Sequence, residues 1–229
     1  MPCCIQQLLT YAEKRKKMPQ TIVSASILNS DLADLKGTAA RVDASGAEWL
    51  HFDVMDGEFV ENITFGSSVL NAVRPHSRAF RDVHLMVAHP MRQIKLFAEA
   101  GADNITFHVE SDCDPEEAIA EIHRLGIRAG ISVKPGTPVS AIEPYIAAAD
   151  MVLVMTVEPG YGGQGFIHST LDKIRQIRAL DPDKYIEVDG GINPETSKLV
   201  REAGANVLVA GTFLFRAEDM AAAVKELRG

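Results

Sequence analysis

A short pattern recurs four times along the chain: SGAEWL from Ser45, AGADNI from Ala100, AAADMVL from Ala147 and AGANVL from Ala203. Each copy runs from small residues through an acidic or amide residue into an apolar run. A glycine just past a helix closes it in the left-handed conformation that other residues avoid, and the apolar run that follows starts a strand. A spacing of roughly fifty residues holds two strand–helix units of about 25–30 residues each, so four periods predict about eight units.

The strands between the copies are TIVSASIL from Thr21, DVHLMV from Asp82, IRAGISV from Ile127 and YIEVDG from Tyr185. They read as apolar or β-branched runs without a polar partner face, which suits strands buried on both sides. Helical periodicity fills the intervals, as in PEEAIAEIHRLG (115–126) and STLDKIRQIRAL (169–180). Proline opens the first of these and glycine closes it. Strands alternating with helices imply a parallel sheet, and eight such units imply an α/β fold closed as a (β/α)8 TIM barrel. An open doubly wound sheet is the alternative, but the early glycine fingerprint it would often carry is absent.

Composition agrees with one barrel. The chain has 229 residues, 46% of them hydrophobic, enough for a sizeable core. A net charge of −8 disfavours binding to a phosphate backbone, so no nucleic-acid partner is expected. No apolar run reaches the roughly 18 residues of a membrane span. The cysteines, Cys3, Cys4 and Cys113, form no CxxC pair, and such sparse use fits a reducing cytoplasm. Residues 1–20 carry Ile5, Leu8 and Leu9 ahead of Lys14-Arg15-Lys16-Lys17, the wrong order for a signal peptide. They read as an N-terminal extension, disordered or helical, with Met18 as an alternative start, and 21–229 as a single catalytic barrel domain. A homo-oligomer is expected, and alanine-rich faces such as AEDMAAAVKEL (217–227) could carry its contact.

Three motifs end strand-like runs: HFDVMDG (51–57), DVHLMV (82–87) and EVDGGI (187–192). Alternate strand residues share a face, so His51 lies with Asp53, His84 with Met86, and Glu187 with Asp189, Glu187 one layer deeper. In a barrel the inward face at the C-terminal strand ends is where catalysis occurs. His51, Asp53, His84 and Asp189 therefore converge there. Two imidazoles and two carboxylates suit one divalent transition metal, with carboxylates left to move a proton. The other histidines carry weaker signals: His76, His89 and His123 read as surface residues and His168 as a cap or loop residue. His108, ending ITFHVE, either lines the pocket or is structural.

Glycine clusters follow the last three strands: VEPGYGGQGF (157–166), DGGI (189–192) and AGTFLF (210–215). Backbone N–H groups at such turns bind phosphate, and barrels often build this site from the loops after strands seven and eight. Gly191, Gly211 and Thr212 fit that place, with Gly162 and Gly163 from the neighbouring loop. No lysine or arginine is required. Met55, Met86 and Met155, each near a strand end, either pack the core or form a soft, polarisable wall against a planar intermediate.

HFDVMDG, HLMV, AGADNITFHVE, PGTP, PGYGGQGFI and VDGGI together resemble the ribulose-phosphate 3-epimerase family of the pentose phosphate pathway, over residues 21–229. The resemblance implies a ribulose-phosphate-binding barrel holding one divalent metal, commonly Zn2+ or Fe2+, with Mn2+ or Co2+ also admissible. It implies metal ligation by His51, Asp53, His84 and Asp189, and acid/base roles for Asp53 and Asp189. It also implies substrate contacts from Ser26, His84, the three methionines and the glycines of the last loops. The chain departs from the family's usual pattern at Glu61, in SVKPGTP (132–138), and at Glu158, Tyr161 and Thr212, none of them a ligand or acid/base position.

That chemistry inverts C3 of a phosphorylated 2-ketose through a cis-enediolate, one aspartate taking the proton from one face and the other returning one to the opposite face. D-ribulose 5-phosphate and D-xylulose 5-phosphate are the expected pair. Epimerases of hexulose 6-phosphates such as allulose 6-phosphate resemble the same family and remain an alternative, as does a non-catalytic sugar-phosphate binder. A lyase or decarboxylase on a similar barrel would often place a lysine among the strand-end acids, and the three motifs contain none.

Overall fold

The computed structural model describes residues 21–229; the expectations for residues 1–20 lie outside the described residues. Eight strands pair in parallel in chain order and the last closes on the first. They are β1 (Ile22–Ser26), β2 (Trp49–Met55), β3 (Phe80–Met86), β4 (Asn104–His108), β5 (Arg128–Val133), β6 (Met151–Met155), β7 (Tyr185–Asp189) and β8 (Val207–Ala210). The helices around them are α1 (Leu35–Ser45), α2 (Ser67–Val73), α3 (Met91–Ala100), α4 (Pro115–Arg124), α5 (Thr170–Leu180), α6 (Pro194–Ala203), α7 (Thr212–Arg216) and α8 (Met220–Arg228). The TIM barrel expected from the repeats is the fold observed.

Three copies of the repeat do what their glycines suggest. Gly46, Gly101 and Gly204 close α1, α3 and α6 at φ 78°, 101° and 116°. The fourth copy, AAADMVL, has no glycine, and no α-helix precedes it. Between β5 and β6 run two short 3-10 turns, Val139–Ala141 and Glu143–Tyr145. Pro138 and Pro144 lack the N–H that a helix interior needs. The fifth unit is thus a strand with turns rather than a strand with a helix.

The outward faces of the strands, including Val23, Phe52, Leu85, Phe107, Ile131 and Val152, pack with Val42, Ile94, Ile122, Ile174 and Val200 of the helices in one apolar layer. The inner faces differ from expectation. Ser24, Ser26, His51, Asp53, Asp82, His84, Asn104, Thr106, His108, Ser132 and Glu187 are all buried, and the register sets them side by side: Ser26 by His51, His51 by Asp82, Asp53 by His84, His84 by Thr106. The strands are buried on both sides, but most carry a polar inner face. Part of that face is satisfied internally, Ser26 bonding Asp53, His51 and Asn104 bonding Asp82, and His84 bonding His108, while Ser24 Oγ and Ser132 Oγ have no hydrogen-bond partner.

The N-terminal end of the barrel is plugged by Trp49, Met151 and Val207 with Phe80 and Tyr185. Trp49 lies 4.5 Å from Phe80 and 6.3 Å from Tyr185 between ring centroids, and the Arg128 guanidinium sits 5.0 Å and 5.5 Å from the same two partner rings. This seal leaves the opposite end as the open mouth. Among the described residues no helix is long and apolar enough to cross a membrane.

Candidate active site

The ends of β2, β3 and β7 bring His51, Asp53, His84 and Asp189 together, with one donor atom of each within 4.8 Å of the others. His51 Nε2 and His84 Nδ1 each lie 3.3 Å from Asp53 Oδ1, and His84 Nδ1 lies 3.7 Å from Asp189 Oδ2. The second Asp53 oxygen accepts a hydrogen bond from Ser26 Oγ at 2.6 Å. Both histidines are fully buried, and His51 Nε2 makes no aligned hydrogen bond. A buried nitrogen lone pair or N–H left without a partner is costly; a cation seated among these two nitrogens and two carboxylates would satisfy it. The donor set fits a divalent transition metal.

The backbone under these side chains is pinned. Thr64 Oγ1 donates to the carbonyl of Asp53 at 2.6 Å and accepts the Met55 N–H at 2.9 Å. Thr156 Oγ1 donates to the carbonyls of Asp189 and Gly190 at 2.9 and 2.6 Å. Asp56, in HFDVMDG, accepts the N–H groups of Glu58, Phe59 and Ala88 and so ties the loop after β2 to the end of β3. Its role is to set the loop.

The two aspartates differ electrostatically. Burial works against charge on Asp53, but His51 and His84 beside it prevail and hold the carboxyl well below the usual range. For Asp189 burial and the neighbouring Asp53 charge act together and push it up to about 7. Asp53 is therefore ionised at neutral pH, where Asp189 is part protonated. His84 is lowered, chiefly by burial.

A second layer lies beneath. His51 Nδ1 is 2.7 Å from Asp82 Oδ2 and 3.7 Å from Glu187 Oε1, and Asn104 Nδ2 donates to Asp82 Oδ1 at 2.7 Å. Burial and the adjacent Asp82 charge raise Glu187 well above its ordinary value. His84 Nε2 contacts His108 Nε2 at 2.8 Å, and His108 Nδ1 lies 3.2 Å from Glu110 Oε2.

Above the cluster is a pocket at the barrel mouth. Ser26, Asp53, Met55, Met86, Met155, Gly162, Gly163, Asp189, Gly191, Gly211 and Thr212 all line it. His51, His84 and His108 do not; they lie under its floor. His76, His89, His123 and His168 sit away from the pocket, His89 and His123 paired with Asp112 and Asp150 at 3.1 and 2.8 Å. Among the described residues no lysine or arginine lines the pocket.

Sequence reasoning missed Asp82, Asn104, Glu110 and Asn29. A Cβ placed at Gly162 or Gly211 would fall 2.5 or 2.8 Å from Asn29 Nδ2, so this amide lies between two of the glycine loops. Asp82 stands two residues before His84 in β3, a spacing that puts them on the same face, and Glu110 lies in the turn just after His108 ends β4.

Comparison with known proteins agrees with this geometry. Residues 22–215 match the model of the Ribulose-phosphate 3 epimerase family. The chain is 46% identical to ribulose-phosphate 3-epimerase of Bacillus subtilis, over 90% of this chain and 98% of that one. It is 43% identical to the cytoplasmic isoform of ribulose-phosphate 3-epimerase from rice, over 90% of this chain and 92% of that one. Among solved structures, KGPDC from Streptococcus mutans superposes with a TM-score of 0.71 at 15% identity, covering 92% of this chain and 96% of that chain. That likeness speaks to the barrel alone.

Proposed function

The chain belongs to the ribulose-phosphate 3-epimerase family, an enzyme family, and on that premise we propose that it interconverts D-ribulose 5-phosphate and D-xylulose 5-phosphate by two-base proton transfer at C3. The observation that carries the mechanism is the pair Asp53 and Asp189, both lining one pocket, with the two histidines holding Asp53 down and burial and the Asp53 charge pushing Asp189 up to about 7. Asp53, ionised, takes the C3 proton from one face. Asp189, protonated, delivers one to the opposite face, and the roles exchange in the reverse direction. Inversion needs two groups, since a single base would tend to return the proton to the face it left. The separation of their pKa values is what lets two carboxyls act as base and acid in one site.

His51, Asp53, His84 and Asp189 would hold one divalent metal, Zn2+ or Fe2+ foremost, with Mn2+ and Co2+ compatible with the same donors. When bound, it supplies Lewis-acid stabilisation of the negative charge that develops on the substrate's C2 and C3 oxygens in the cis-enediolate. Ser26 orients Asp53 through its hydrogen bond. Met55, Met86 and Met155, which line the pocket and are otherwise nearly fully buried, form an apolar wall that excludes water from the planar intermediate. The backbone at Gly162, Gly163, Gly191, Gly211 and Thr212 takes the phosphate without a side-chain cation. A cytoplasmic enzyme is part of this reading, supported by sparse cysteine and by a relative named as a cytoplasmic isoform, and a homo-oligomer is proposed with it on the alanine-rich segment 217–227.

The test is turnover of purified protein, loaded with zinc, on D-ribulose 5-phosphate and on allulose 6-phosphate. Efficient conversion of the pentulose to xylulose 5-phosphate is expected. Preference for the hexulose would overturn the sugar assignment, and binding of both without turnover would overturn the reaction.

A further inference from the structure

We infer that His108 and Glu110 are positioning residues that fix the tautomer of His84 so that its Nδ1 lone pair faces the metal. The inference rests on the metal reading of the four-residue cluster.

Counting protons along the contacts gives the argument. His84 Nδ1 looks toward two carboxylates, Asp53 at 3.3 Å and Asp189 at 3.7 Å. A ligating imidazole must present a bare nitrogen there, so the single proton of neutral His84 belongs on Nε2. That atom lies 2.8 Å from His108 Nε2. Two ring nitrogens at this distance need one N–H and one lone pair. His84 therefore donates, and His108 Nε2 accepts. The proton of His108 is then on Nδ1, 3.2 Å from Glu110 Oε2, which accepts it. Glu110 Oε1 in turn accepts the Lys134 N–H at 2.8 Å. Each group has the role that its neighbour requires, and neutral rings with an ionised Glu110 satisfy every contact at once.

The surroundings hold this row in place. His84 and His108 are both fully buried, their ring centroids 5.0 Å apart and their planes inclined by 29°, so the rings meet edge to edge as an in-plane N–H···N bond requires. Phe59 covers His108 at 4.8 Å between centroids, and Lys134 Nζ stands 3.7 Å from the centre of the Phe59 ring. His51 has a direct carboxylate partner in Asp82. For His84 the carboxylate acts one imidazole further away, through His108. Partners of this kind orient metal ligands and set their ring tautomers.

Two measurements test it. Long-range 1H–15N correlation spectra of the zinc-loaded wild type should show His108 protonated at Nδ1 and His84 at Nε2; the opposite pattern overturns the inference without any variant. Zinc affinity, read by chelator competition, should fall about 10–100-fold in His108→Phe. His108→Gln, whose amide oxygen can accept the His84 proton, should recover most of the loss, which a merely structural role for the ring would not allow. Wild-type affinity in His108→Phe, with the wild type binding one zinc, overturns the inference alone. Absence of zinc binding in the wild type overturns the metal reading, and the inference with it.

Discussion

His51 Nδ1 lies 2.7 Å from Asp82 Oδ2, with both side chains fully buried. The contact fixes the ring so that Nε2 points at Asp53. Asp82→Ala removes this partner and is expected to weaken zinc binding about 10–100-fold, with activity at limiting zinc falling in step. Asp82→Asn, which keeps the shape and one acceptor oxygen, should lose less. Zinc titration of both variants checks the order, and equal affinity in wild type and Asp82→Ala would contradict it.

Metal uptake should depend on pH with a definite sign. Burial lowers the His51 pKa while Asp53 and Asp82 raise it, and the outcome is well above the ordinary value; burial first, then Asp53, pushes Asp189 up to about 7. Without metal, His51 Nε2 and Asp189 both hold protons below about pH 7, and a cation must displace the proton on Nε2 to ligate there. Binding therefore releases protons, and affinity declines as pH falls below 7. Calorimetry of zinc binding in two buffers of different ionisation enthalpy reads the release directly; none at pH 6.5 would contradict the pair of shifts.

Much of this site was legible from period-two alternation at strand ends. His51, Asp53, His84 and Asp189 each stand where an apolar run stops, and the fold then makes them neighbours. The layer beneath was not legible, because its partners come from register between strands. Asp82 sits inside the motif DVHLMV, yet nothing local says that it meets His51 rather than solvent. Asn104 and Thr106 look like ordinary strand residues until β4 is set beside β3. Asn29 was hidden for another reason: TIVSASIL reads as one strand, but after Ser26 the chain turns into a 3-10 turn, Ile27–Asn29, that carries Asn29 to the glycine loops. His108, left open between pocket and structure, lies against His84 below the pocket floor.

The loop after β7 should tolerate no side chain at Gly191. Its φ is 66°, and a Cβ there would meet the backbone nitrogen of Phe166 at 3.0 Å. Gly191→Ala is expected to cost about 1 kcal/mol or more in stability and to raise KM for the phosphorylated substrate about tenfold, roughly 1.4 kcal/mol of binding, with a smaller change in kcat. Steady-state kinetics separate these, and a loss confined to kcat would argue against a phosphate role for the loop.

The seal at the other end of the barrel should matter for stability and not for metal. Trp49 is buried among Phe80, Tyr185, Met151 and Val207. Trp49→Ala should destabilise the fold by about 3–5 kcal/mol in chemical denaturation. Any folded fraction should still bind one zinc, and selective loss of zinc at full stability would contradict this division of labour.

Asp53 and Asp189 acting on opposite faces of C3 have one direct test, the source of the hydrogen that arrives at the product. Zinc-loaded enzyme is given unlabelled D-ribulose 5-phosphate in D2O, and C3 of both sugars is followed by proton NMR over the first turnovers. Two separate carboxylates predict that the earliest xylulose 5-phosphate carries deuterium at C3 while the remaining ribulose 5-phosphate still carries protium. Xylulose 5-phosphate that retains the original proton at C3 would mean that one group carries it across, and would contradict the two-carboxylate scheme.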